Sequence, residues 1–142
     1  MARFVRLLVA LVLVGGVAGA SAEGIGGGDA ATIRSLIEGQ IDAFRHDDGA
    51  AAYAFASPTI HGIFPNADRF MEMVRQGYQP VYRPKSVTFG PIVDSPMGPL
   101  QKVYLVGPDG KDYVAVYTLE RQPDGTWKIN GCVIVPDDAS TI

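Results

Sequence analysis

The chain predicts an α+β fold, with N-terminal helices packed on a curved antiparallel sheet, and three observations carry that expectation. Apolar residues in the first half recur at helical spacing. The second half alternates apolar and polar residues over long runs. Those runs are joined by two nearly identical corners, Gly107-Pro108-Asp109-Gly110 and Gln122-Pro123-Asp124-Gly125. A 3.6-residue period gives a helix one apolar stripe, and a two-residue period gives a strand one apolar face.

Ahead of the helices, Arg3 and Arg6 flank a short positive region, followed by an apolar run from Leu7 to Val14 and by Ala20-Ser21-Ala22. That order is the layout of a secretory signal cleaved after Ala22. A spanning helix needs roughly 20 apolar residues, and this run is shorter, so no stable membrane span is expected once the signal is removed. The expected location is the periplasm or the exterior. Without residues 1–22 the chain keeps 120 residues, enough for one domain. The expected divisions are a flexible, Gly-rich arm at 23–28, a single α+β domain at 29–136 and a tail at 137–142.

Composition narrows the partners. Loss of Arg3 and Arg6 takes the basic count from 12 to 10 against 15 acids, so the mature charge is about −5. Such a domain repels phosphate backbones, which excludes nucleic acid as a partner. Cys132 is the single cysteine, so no intramolecular disulfide can form and the fold rests on its core.

In the first predicted helix Asp29 acts as the N-cap, and Ile33, Leu36, Ile37, Ile41 and Phe44 form one stripe. Gly39 costs that helix about 1 kcal/mol against alanine, which implies a close neighbour there. The charged run 45–48 ends the helix, and Asp48 or Gly49 opens a second over Ala50–Ala56, stopped by Ser57-Pro58. Asn66 caps a third, with Phe70, Met73 and Val74 inward and Gly77 as its stop. Residues 78–84 carry two prolines four apart and read as extended or polyproline-like.

Strands are expected near Ser86–Gly90, Leu100–Val106, Lys111–Arg121 and Thr126–Val135, with a loop over residues 94–99. In each Pro-Asp-Gly corner proline presets the second turn position and glycine takes the left-handed one, giving a type I turn with a bulge. With no further bulge, the first corner opposes Leu105 to Tyr113 and Val103 to Ala115. The second opposes Leu119 to Ile129, Glu120 to Lys128, Thr118 to Asn130 and Tyr117 to Gly131. The inner face then carries Val103, Leu105, Tyr113, Ala115, Tyr117, Leu119, Trp127, Ile129, Val133 and Val135. The outer face carries Tyr104, Val114, Val116, Cys132 and Ile134 among its polar residues, an apolar patch suited to a homodimer.

The segment Phe70-Met71-Glu72-Met73-Val74-Arg75-Gln76-Gly77-Tyr78, running into Pro80-Val81-Tyr82-Arg83-Pro84-Lys85-Ser86-Val87, resembles a family of exported bacterial proteins catalogued as domain of unknown function 4864. Gln40-Ile41-Asp42-Ala43-Phe44 and Trp127-Lys128-Ile129-Asn130-Gly131-Cys132-Val133 fit it as well, so the likeness spans most of the mature chain. The order of helices and long strands also looks like the nuclear-transport-factor-2-like, or cystatin-like, cone. The first resemblance implies export and assigns no activity. The second implies a curved sheet wrapped round the first helix.

That wider fold includes ketosteroid-isomerase-like and dehydratase-like enzymes, whose chemistry needs an acid inside the cone and an oxyanion-holding hydroxyl. The expected inner face has no Asp or Glu, so a base would have to come from a loop acid such as Asp68 or Asp94, or from His61. His46 beside Asp47 and Asp48 reads as a solvated helix end, because adjacent helical residues point apart and few ligands are at hand. No metal site and no cofactor are expected. Cys132 reads as a small buried hydrophobe. Tyr113 and Tyr117, with Tyr53, Tyr78, Tyr82, Arg83 and His61 from the helical side, would line an apolar cavity with polar tips. Three functions follow. The first is a non-catalytic exported domain that binds a small, partly apolar ligand or an envelope protein. The second is a lyase or isomerase with a loop base, and the third is an accessory protein whose cone is filled.

Overall fold

A computed structural model describes residues 25–137; the signal segment and cleavage site read from the sequence, and the tail after Asp137, lie outside them. Helices α1 (Gly27–Arg45), α2 (Gly49–Ala54), α3 (Pro58–Ile63), α4 (Ala67–Gly77) and α5 (Gln79–Tyr82) come first. Strands β1 (Ser86–Val93), β2 (Leu100–Val106), β3 (Asp112–Arg121) and β4 (Trp127–Pro136) follow. The four strands form one antiparallel sheet in the order β1-β2-β3-β4.

The apolar stripe of α1 is where the spacing put it: Ile33, Ile37, Ile41 and Phe44 are buried. Across the core they share one cluster with Val103, Leu105, Ala115, Tyr117, Leu119, Trp127 and Ile129 of the sheet. Gly39 has its close neighbour in Phe55. The start of α1 differs from expectation, because Gly26 holds the N-cap position without a side-chain cap and Asp29 lies in the first turn. Part of the expected arm is therefore helical. The Asp29 carboxylate is drawn to the sheet instead, accepting from Arg121 Nη2 at 2.7 Å and Trp127 Nε1 at 3.3 Å.

Two further helices correct the sequence reading. Ser57-Pro58 ends α2 but also opens α3, with Ser57 Oγ accepting from the Ile60 amide at 3.3 Å. Proline is well placed in a first turn, where its missing N–H would have no partner. The same logic makes residues 79–82 a helical turn rather than an extended piece: Pro80 falls in its first turn and Pro84 lies beyond its end. Asp48 caps α2 and Asn66 caps α4 through their side chains, as expected.

Both Pro-Asp-Gly corners put glycine in the left-handed region, Gly110 at φ 81° and Gly125 at φ 90°. The β2–β3 register matches the expected one, as do Leu119↔Ile129 and Glu120↔Lys128. Strand β1 continues past Gly90 through Pro91 to Val93, with an irregularity between Phe89 and Ile92; an edge strand can hold a proline.

The decisive departure lies between Thr118 and Leu119, where the β3–β4 register shifts by a bulge. Thr118 pairs with Gly131 and Tyr117 with Cys132, in place of Asn130 and Gly131. Asn130 is the extra residue, and its Oδ1 accepts from Ser57 Oγ at 2.7 Å. Because strand sidedness alternates, one extra residue inverts everything beyond it. Cys132 and Ile134 therefore pack against the core cluster, and Val133 and Val135 turn out, 62% and 45% exposed.

Candidate functional site

Helices and sheet leave between them a cavity of about 370 Å³. Gln40 and Phe44 of α1, Phe70 and Val74 of α4, Val81 of α5, Tyr117 of β3 and Ile129 of β4 form its buried floor. Ile60, Phe64, Met73, Tyr78 and Cys132 are half-buried around it, and the exposed Val133 stands at its rim. The mouth thus opens between α3, α4 and the edge strand β4. None of the residues lining it carries a charged side chain or an imidazole.

The polar groups at this wall are few. Gln40 Nε2 is committed to the Ala52 carbonyl at 3.1 Å. Tyr117, 1% exposed, is different: among the described residues its hydroxyl is buried with no hydrogen-bond partner. Such groups are rare in folded proteins, because burial strips water from a donor without replacing it. Burial pushes the Tyr117 phenol well above its ordinary pKa, and the neighbouring Cys132 thiol pushes it further. Burial likewise raises the Cys132 thiol to about 12, opposed by its contact with Tyr117. Thiol and hydroxyl lie against each other without meeting hydrogen-bond geometry. Both groups are neutral in ordinary buffers.

Of the residues read from the sequence as pocket-lining, Tyr78 and Tyr117 stand at this cavity. Tyr53 and His61 form a stack beside it, with ring centroids 3.9 Å apart and His61 Nε2 2.8 Å from the Tyr53 carbonyl oxygen. The Tyr53 hydroxyl donates to the carbonyl of Phe64, and its ring packs on Phe70, so this pair backs two lining residues. Tyr82 and Arg83 turn toward Asp47. The tyrosine hydroxyl donates to its carboxylate, and Arg83 Nη2 reaches both carboxylate oxygens at 2.9 Å. Arg83 also lies over the Tyr82 ring, 4.2 Å from its centroid, and donates to the Phe44 carbonyl at the end of α1. Those hydrogen bonds hold the Asp47 carboxyl below its ordinary range, Tyr82 first and Arg83 second. Tyr113 donates to Asp109 at 2.6 Å within the first corner.

Among the lining residues missed were Gln40, Ala56 and Val81, with Ile60 and Phe64, hidden by the unrecognised α3, and Cys132, assigned to the wrong face. The Ser57-Pro58 pair was the signal for Ile60 and Phe64. On the outer face Tyr104, 37% exposed, Val114 and Val116 are joined by Val133 and Val135. The bulge removes Cys132 and Ile134 from that patch. Asp68 and Asp94 are exposed and do not line the cavity. His46 stays at the C-terminal end of α1, with Nδ1 2.9 Å from the Asp42 carbonyl oxygen. Among the described residues no group of three His, Cys, Asp or Glu side chains is placed to hold a metal, and no helix is long and apolar enough to cross a membrane.

A family model described as a domain of unknown function, DUF4864, matches residues 27–142. No curated protein and no solved structure matches the chain.

Proposed function

Because the chain belongs to the DUF4864 family, a description that carries no activity, we propose from the geometry that it is a non-catalytic exported domain that holds a small, partly apolar molecule in the cleft between its helices and sheet. The observation that carries this reading is an apolar cavity of about 370 Å³ whose lining residues carry no charged side chain. Small-molecule sites are concave and largely apolar, with few polar groups, and run from about 300 to 1,000 Å³. A filled cone would leave no such volume. A lyase or isomerase needs a base at the cavity, and His61, Asp68 and Asp94 are not among the lining residues.

The export step rests on the charged, apolar and small-residue order of residues 1–22. Helices laid on one face of a four-stranded meander support grouping the fold with the nuclear-transport-factor-2-like cones. Native mass spectrometry of protein purified from its host's envelope tests the binding reading, and a retained small molecule is the expected result. A protein that is ligand-free from the envelope and unmoved in melting temperature by apolar small molecules would refute it. An envelope protein captured at the same cleft would displace the small molecule in that experiment.

A further inference from the structure

A single side-chain amide on the floor of the cleft specifies what the cleft holds. Gln40, on the core face of α1, lines the cavity and is 4% exposed. Its Nε2 donates to the Ala52 carbonyl at 3.1 Å, which fixes the orientation of the amide. Its Oε1 accepts no hydrogen bond among the described residues. That oxygen is not sealed, because among the described residues the Tyr117 hydroxyl is the one side-chain polar atom both buried and partnerless. A water-sized group can therefore touch Gln40 Oε1, and the open space that Gln40 meets is the cavity. We infer that the cleft takes an uncharged molecule, apolar over most of its surface, with one hydroxyl or N–H group that donates a hydrogen bond to Gln40 Oε1. This inference rests on the reading of the cleft as a binding site.

The polar requirement has a direction. With its nitrogen held by Ala52, the amide offers the cavity an acceptor and no donor. An alcohol, phenol or amide N–H completes it, whereas an ether or ketone sets one lone pair against another. Charge is excluded by the wall. No cationic or anionic side chain lines it, so an enclosed ammonium would lose its hydration and find no carboxylate. A carboxylate would meet Oε1 as a repelling neighbour and gains nothing unless it points back out of the mouth. Size comes from the volume: about 150 Å³ is enough for benzene, so about 370 Å³ holds two fused rings and a substituent. The rings of Phe44, Phe64, Phe70, Tyr78 and Tyr117 among the lining residues suit a flat aromatic body, since ring pairs gain beyond their buried area.

The test uses naphthalene, 2-naphthol, its methyl ether 2-methoxynaphthalene and 2-naphthoate with the mature protein at neutral pH, read by isothermal titration calorimetry. The naphthol is expected to bind about fivefold more tightly than naphthalene or the ether, the worth of one net hydrogen bond. The carboxylate is expected to bind no more tightly than the ether. In Gln40→Met, which keeps the length of the side chain without its amide oxygen, the naphthol preference is expected to vanish. The Ala52 carbonyl still accepts from the Phe55 amide at 3.3 Å, so that variant leaves it a partner. Should the variant fail to fold, the wild-type comparison of naphthol with naphthalene and ether decides alone. Equal binding of naphthol and naphthalene by the wild type, or a naphthol preference that survives in Gln40→Met, overturns the donor requirement and leaves the cleft standing. Tightest binding of 2-naphthoate overturns neutrality. Failure of all four probes to bind removes the cleft reading itself, and the ligand class with it.

Discussion

Phe55 presses its ring against the backbone of α1 at Gly39, so closely that a β-carbon there would stand 2.8 Å from the ring's Cζ. The glycine that weakens the helix thereby lets α2's end pack on α1.

Gly39→Ala is therefore expected to destabilise the fold in spite of alanine's better propensity. Alanine gains about 1 kcal/mol in a helix interior, whereas forcing a methyl into a packed contact costs about 1–3 kcal/mol. A net loss of roughly 1 kcal/mol should appear in urea denaturation. In a Phe55→Ala background the same substitution should stabilise, and equal effects in both backgrounds would refute the contact.

Tyr117→Phe should raise the stability of the ligand-free protein, because it removes a buried hydroxyl that has no partner. About 1 kcal/mol is the expected gain, seen as a higher denaturation midpoint. Loss of stability would mean that the hydroxyl is satisfied.

Alkaline titration should weaken the fold through Cys132. Its folded pKa is raised to about 12 from an ordinary 9.0. Above pH 9 the unfolded thiol releases its proton while the folded one keeps it, so this contribution is intact below 9 and is lost as pH climbs toward 12. Cys132→Ala should flatten the alkaline limb of the stability profile. Rapid alkylation of native Cys132 at neutral pH would contradict the picture.

Acid should act through Asp47, whose folded pKa lies below the ordinary 3.8 because it accepts from Tyr82 and Arg83. The stabilisation is present above 3.8 and fades as pH falls below it. Tyr82→Phe should make the acid limb shallower. Asp47 also holds φ at 54°, in the left-handed region that non-glycine residues seldom occupy, so Asp47→Gly relaxes the backbone while losing the clamp.

We propose that the outer sheet face, with Tyr104, Val133 and Val135 exposed around Val114 and Val116, pairs with a second copy. Val135→Glu lies off the cavity and should convert a dimer to a monomer in light scattering. A wild type that is monomeric at high concentration would dispose of the proposal.

Much of this architecture was legible in the sequence because local rules agreed with one another. The stripe of α1, the Asp48 and Asn66 caps and the two Pro-Asp-Gly corners each follow from the preferences of a few neighbouring residues. The bulge was not legible. Beyond Gly131 the residues Cys132, Val133, Ile134 and Val135 are apolar in both alternating phases, so periodicity cannot say which set faces in. A hydrogen bond between Asn130 and Ser57, seventy-three positions away, accompanies the shift, and no local pattern reports such a contact. That is why Tyr117 could be placed on the inner face while its neighbour Cys132 could not.

The free edge of β4 is closed at its beginning, where the Ile129 amide donates to the Phe55 carbonyl and the Ile129 carbonyl accepts from Ser57. On this side, then, a foreign strand has only the stretch from Gly131 onward against which to zip. Gly131, Cys132 and Val133 are also cavity residues, so any chain annealing there would lie along the doorway of the cleft. Growth of the sheet at this border would thus compete with the passage of the proposed guest for the same few ångströms of backbone.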